Sequence, residues 1–176
     1  MEGSKAPVSV AVVIFRLVDT CYGLPAPAVR ECVAMPELVR PAGTPAPVLG
    51  FFRLGGERVA AIDLAVLLGL RDWLAPDAAA MLYRPLLLCG AGAGVRTAFM
   101  VDGVLDVRPM AGAVTALPDD ARPAGDWLAG EVELVGGMTA LLMDPDRLLM
   151  ERERRRIEAL ARDAALRDAV WEGADV

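Results

Sequence analysis

The chain has 176 residues, 55% of them hydrophobic, and a formal net charge of −6. That length suits one ordinary domain or two small halves on a common core, and it buries roughly 70% of the unfolded surface without a disulfide or metal staple. There is no His, Asn or Gln, and the only serines are Ser4 and Ser9. Ser-His and Cys-His nucleophile pairs and histidine metal sites are therefore excluded, as are amide side chains in an oxyanion hole or in adenine readout. The acidic balance opposes binding to nucleic acid or an anionic membrane, which needs a basic footprint. Cys21, Cys32 and Cys89 are odd in number and far apart, with no C-x-x-C. They read as buried, reduced thiols of a cytoplasmic protein. The remaining chemistry of carboxylates, Arg, thiols and two Tyr points to a non-catalytic protein without a cofactor.

In chain order, Ala6 to Phe15 has the length of a signal-peptide core behind Lys5. Arg16 and Asp19 follow at once and no A-x-A cleavage site does, so Val8 to Leu17 reads as a buried strand. No run approaches the ~18 apolar residues of a membrane span, and no direct membrane insertion is expected. Tyr22 to Leu24 continues the extended chain, and Ala28 to Cys32 reads as a short turn of helix after Pro25 and Pro27. Pro36 to Pro47 holds four prolines and is a loop. Gly50 to Leu54 and Glu57 to Ile62 flank Gly55-Gly56 as a hairpin. Asp63 reads as the N-cap of a short helix stopped by Gly69, and Arg71 to Ala80, with Pro76, as a linker. Pro85 to Cys89 and Val95 to Val101 read as strands joined by the turn Gly90–Gly94. A dinucleotide loop fails there, because Thr97 stands at the third glycine position and an extended segment follows where a helix must open. Val104 to Val107 is a further strand, and Ala111 to Pro123 a loop. Leu128 to Val135 and Met138 to Met143 make a second hairpin at Gly136-Gly137, and Asp144-Pro145 opens the last helix.

The two hairpins belong to an internal repeat. Gly50-x-x-x-Leu54-Gly55-Gly56, an apolar run and Asp63-x-x-x-Leu67-Leu68 recur as Gly130-x-x-x-Leu134-x-Gly136-Gly137, an apolar run and Asp144-x-x-x-Leu148-Leu149. Val29 to Val33 echoes Val104 to Val107 more weakly. Each half is expected to close one small barrel, the two packing on a shared core. Two repeat-related aspartates invite an aspartic-protease reading. The contexts Ile62-Asp63-Leu64 and Met143-Asp144-Pro145 are not Asp-Thr-Gly or Asp-Ser-Gly loops, and helix capping accounts for both. A carboxylate hydrolase on Asp63 and Asp144 remains the enzymatic alternative.

One ordered set of motifs spans about Val8 to Leu149. It comprises Phe15-Arg16-Leu17, Tyr22-Gly23, Val29-Arg30-Glu31, the Pro-rich loop, Gly50-x-x-x-Leu54-x-Gly56, Ile62-Asp63-Leu64, Val101-Asp102-x-Val104 and Leu141-Leu142-x-Asp144-x-x-x-Leu148-Leu149. This succession resembles the CheW-like domain of bacterial chemosensory systems. The resemblance implies a mainly β fold of two pseudo-repeated, SH3-like, five-stranded β-barrel subdomains sharing a hydrophobic core, with short helices and a longer C-terminal helix. The domain would occupy residues 1–149, its interleaved repeats covering roughly 8–70 and 84–149, with a helical extension over 145–176. The implied function is that of a non-catalytic adaptor coupling the cytoplasmic tip of methyl-accepting chemoreceptors to the regulatory domain of a CheA-type histidine kinase, for chemotaxis or for another chemosensory output such as motility or biofilm formation.

The same resemblance places Val29, Arg30 and Glu31 near a receptor-binding groove between subdomains. It also matches Val101 and Asp102 to the family's Val-Asp, where Asp102 reads first as a turn or capping residue and second as part of a partner surface. The family's usual hairpin reads Asn-Leu-Arg-Gly, with an Arg linked to signalling contacts. This chain has Arg53-Leu54-Gly55-Gly56, and Arg53 substitutes only in part, because neighbouring strand residues point to opposite faces. In the tail, six Arg balance six acids between Glu151 and Glu172, which reads as a salt-bridged helix face. Ile157, Leu160, Ala164 and Trp171 form a sparse apolar stripe expected to pack on a barrel.

Overall fold

The computed structural model describes residues 10–73, 77–90, 95–123 and 126–172. Residues 91–94 of the expected Gly90–Gly94 turn, Pro76 of the expected linker and the first residues of the apolar run from Ala6 lie outside the described residues. Ten strands are described: β1 (Ala11–Leu17), β2 (Thr20–Pro25), β3 (Val29–Val33), β4 (Val48–Leu54), β5 (Glu57–Asp63), β6 (Leu86–Cys89), β7 (Arg96–Met100), β8 (Gly103–Pro109), β9 (Leu128–Leu134) and β10 (Met138–Met143). Three α-helices accompany them: α1 (Leu64–Leu67), α2 (Ala78–Met81) and α3 (Glu151–Glu172).

Both expected hairpins form, β4–β5 around Gly55-Gly56 and β9–β10 around Gly136-Gly137. The strands assemble into two five-stranded sheets, in the orders β8-β1-β2-β10-β9 and β3-β6-β7-β5-β4. Each sheet takes strands from both halves of the chain. This corrects the expectation that one half closes one barrel. The first two strands of each repeat (β1–β2, β6–β7) pair with the last three of the other (β8–β10, β3–β5). The joints of this exchange are the two parallel pairs, β2 with β10 and β5 with β7.

Neither sheet closes by a strand pair; isolated bridges join one outer strand of each to the segment that follows the opposite outer strand. Val39, in the loop after β3, bridges Phe51 of β4, with both backbone hydrogen bonds at 2.8 Å. Met110 and Thr115, after β8, bridge Leu134 and Glu131 of β9. The repeat glycines explain why these approaches are possible. Gly50 and Gly130 have φ of 152° and 154°, and each faces the carbonyl of the bridging residue, Val39 or Thr115. A Cβ would collide with that oxygen at either site, and these backbone angles are ones L side chains rarely adopt.

Three cores result. The interior of one barrel holds Val12, Ile14, Val132, Leu134, Ala140 and Leu142. The interior of the other is built on Leu49, Phe52, Val59, Leu86, Leu88 and Met100. The largest lies between the sheets and includes Phe15, Tyr22, Phe51, Ile62, Leu87 and Phe99. In β1, β5, β6 and β7, alternate residues face a barrel interior and the shared core. That is why these strands read as unbroken apolar runs. In β9 only one face is buried, and Gly130-Glu131-Val132-Glu133-Leu134 alternates accordingly.

Several local expectations are corrected. After Pro25 the chain makes a short 3-10 turn over Ala26–Ala28, then the extended β3, not a helical turn to Cys32. The expected linker contains α2. Asp63 caps α1 through Val66 N–H, as expected. Asp144 opens no helix: its carboxylate accepts from Asp146 N–H and lies 3.3 Å from Arg147, closing a turn. The chain then buries Leu148 and Leu149, and α3 starts at Glu151, where Glu153 accepts from Met150 N–H. Of the tail stripe, Ile157, Leu160 and Ala164 are buried, but Trp171 is 77% exposed. Among the thiols only Cys89 is buried; Cys21 is half-buried and Cys32 exposed.

Gly130→Ala combines a backbone conformation that L side chains rarely adopt with a clash on the Thr115 carbonyl. It should destabilise the protein by about 2–4 kcal/mol, read as a lower urea midpoint with unchanged slope. Gly50→Ala should act in the same direction, because it breaks the equivalent bridge.

Candidate functional site

The six residues singled out from the sequence fall in three places. Val29, Arg30 and Glu31 lie on β3, an edge of the second sheet. Val29 packs on the shared core, while Arg30 and Glu31 are exposed. The pairing of β3 with β6 shifts between Val29 (opposite Cys89) and Glu31 (opposite Leu88), so Arg30 is the extra residue of a β-bulge. Bulges re-aim side chains. Here Arg30 borders a groove of about 350 Å³ with Pro27, Thr97, Pro145 and Arg154. A second hollow of about 300 Å³ continues it between β7 and α3, past Arg96 and Arg155. Cys89, Gly90, Thr97, Leu149 and Arg154 line both. The result is one open seam running from the β2–β3 crossover to the first turns of α3.

Its wall is fixed by Arg154, which donates to the carbonyls of Asp146 (2.9 Å) and Leu149 (3.3 Å) and so holds the turn leading into α3. Arg155 pairs with Glu151 at 2.9 Å, the expected i, i+4 bridge. Arg154 was legible only as part of a basic run; its carbonyl clamp depends on the turn after Asp144. Cys89 lies at the floor of the seam. Burial pushes its thiol pKa up to about 12, so it is a protonated, apolar wall and not a nucleophile.

The second place is the crossover between sheets. Val101 is buried in the shared core at 1% exposure, which removes it from any partner surface. Asp102 is a cross-link. Its carboxylate accepts from Val18 N–H (2.6 Å) in the β1–β2 turn and from Arg71 (3.0 Å), and lies 3.4 Å from Arg84. Arg71 also donates to both oxygens of Asp63 at 3.1 Å. Burial disfavours the Arg71 charge, but the hydrogen bonds and charges of Asp102 and Asp63 outweigh it and raise the Arg71 pKa. The turn of one sheet, the cap of α1 and the crossover to β8 are thus tied at one point. Arg71 escaped sequence reading because its partners lie 8 and 31 residues away, across two sheets.

The third place is Arg53 on β4, at the far edge of the second sheet and opposite Arg58. The six residues therefore do not form one site. Among the described residues, no cluster of His, Cys, Asp or Glu is arranged to hold a metal ion, and no helix is long and apolar enough to cross a membrane.

Paired, strand-exchanged, SH3-like sheets, with an open seam beside the second, define a mainly β protein. The family model for the CheW-like domain matches residues 11–153, and the chain belongs to that family. Among solved structures, it is similar to the scaffolding protein TtCheW from Thermoanaerobacter tengcongensis. The two share 19% identity with a TM-score of 0.65, over 82% of this chain and 90% of that one. This similarity supports the fold. No curated protein matches the chain.

Asp102→Ala should cost about 1–2 kcal/mol in urea denaturation, because it removes the acceptor of the Val18 N–H and one of the two carboxylates that hold Arg71, which keeps Asp63; Asp102→Asn should recover part of the loss by keeping an acceptor. For the thiols, a disulfide reagent at pH 8 should label Cys32 in the native protein and reach Cys89 only after unfolding. Peptide mapping of the labelled protein checks this.

Proposed function

We propose that this chain is a non-catalytic, cytoplasmic adaptor that couples methyl-accepting chemoreceptors to a CheA-type histidine kinase. The observation that carries the reading is the CheW-like domain match over residues 11–153. The use of the polar groups supports it. Asp63 is engaged by Arg71 and a helix cap, Asp102 by two arginines and a backbone N–H, and Asp144 by its own turn. The hydrolase alternative needs a free pair of carboxylates, and Asp63 and Asp144 are each committed to local structure. Cys89 is held as a thiol.

An adaptor needs surfaces held in a fixed relation. The seam beside β3 offers one, with Arg30 at the bulge, exposed Glu31 beside it, and apolar Pro27 and Leu149 within reach of a helical receptor tip. The rim of the second sheet at Arg53 offers another, suited to the kinase's regulatory domain. Two partners, one at each, would be positioned relative to one another through the protein's core without any chemistry. The same surfaces would serve a chemosensory pathway with an output other than chemotaxis.

Two measurements test this. The purified chain should co-elute with the regulatory domain of a CheA-type kinase encoded in the same genome; separate elution at micromolar concentrations would contradict the adaptor reading. Glu31→Arg should leave stability within about 0.5 kcal/mol, as for exposed sites, yet weaken receptor coupling in a reconstituted kinase assay. Equal coupling by mutant and wild type would remove Glu31 from the binding surface.

A further inference from the structure

Arg53 and Arg58 are direct cross-strand partners on β4 and β5. Like charges directly opposite one another destabilise a strand pair. The chain relieves this with its own tail: the Asp168 carboxylate, near the end of α3, lies 2.6 Å from Arg58 and 3.8 Å from Arg53. The arginines differ in access. The Arg58 side chain is 15% exposed, that of Arg53 59%. The helix end that delivers Asp168 has little else to hold it. Ala164 is the last residue of α3 in the core, and Leu166, Val170 and Trp171 all face solvent.

We propose that Arg53 and Arg58 form a carboxylate-binding surface for an acidic helix of a partner protein, and that Asp168 occupies it as an internal stand-in until displaced. The inference rests on the adaptor reading above and names the chemistry of one of its surfaces. The class of occupant follows from what already sits there, a carboxylate presented by a helix across a hairpin. A doubly cationic pair attracts a carboxylate from either source, and Asp168 and Arg53, both about half-exposed, exchange partners at little cost. Ile157, Leu160 and Ala161 keep the rest of α3 anchored in the shared core while its end lifts.

The full-length chain, Asp168→Ala, Arg53→Ala and the double variant can be titrated against the purified regulatory domain of the CheA-type kinase by calorimetry. Asp168→Ala should bind about threefold tighter, the scale of one surface ion pair. Arg53→Ala should bind more weakly than wild type, and in the double variant the gain should vanish. Wild-type binding that Asp168→Ala leaves unchanged or weakens overturns the stand-in role. Absence of binding by every variant overturns the adaptor reading, and this partner surface with it. Hydrogen exchange separates the two failures without a partner. In Asp168→Ala the amides of Leu166 to Trp171 should exchange faster while those of Ile157 to Ala164 stay protected, and identical exchange in both proteins overturns the internal contact.

Discussion

The structure depends on an exchange of strands between its two repeats. β1 and β2 find their sheet partners among β8 to β10, and β6 and β7 find theirs among β3 to β5. A half chain therefore leaves both sheets incomplete, with exposed edges and half of the shared core in water. Burial of a large apolar side chain contributes ~1.5–3 kcal/mol, and Phe15, Phe51, Ile62 and Leu87 reach full burial only where the two sheets meet. The two parallel pairs, β2–β10 and β5–β7, are the joints of the exchange, and both connect residues far apart in sequence. The Arg71–Asp102–Val18 cross-link ties the sheets again at the crossover from β7 to β8.

That constraint bears directly on function. Surfaces on two independently folded barrels would drift relative to one another, whereas surfaces on two sheets that share strands are held by one core. The seam between β3, β7 and α3 and the rim at Arg53 are both borders of the second sheet, joined through β6, β7 and β5. Polar groups that resemble catalytic equipment in the sequence are consumed in holding this frame: Asp63 as a cap and ion pair, Asp144 as a turn, Cys89 as a wall.

Much of the fold was legible because the repeat carries physical signals. The Gly-Gly turns, Gly50 and Gly130, and the unbroken apolar runs each mark a backbone or burial requirement that only certain residues meet. The exchange itself was not legible, since a repeat says that two units are alike and not whose strands pair. Asp144 misled because an Asp-Pro pair opens helices and turns equally well, and the burial of Leu148 and Leu149 decided for the turn. The same limit applies to the site. Arg30 and Glu31 lie exposed on the edge strand β3. Val101 is core, and Asp102, read first as a turn or capping residue, holds the β1–β2 turn and also binds Arg71, a partner that sequence distance hides. Trp171 lies on the spacing of a buried stripe but faces solvent, as do Leu166 and Val170 beside it.

The most direct test divides the chain between the repeats, at residues 1–75 and 76–176. Each fragment should lack a cooperative melting transition when alone. Mixing the two should restore one native-like transition and near-native strand content by circular dichroism, because each sheet needs strands from both. Cooperative melting of either fragment alone would contradict a core held together by exchanged strands.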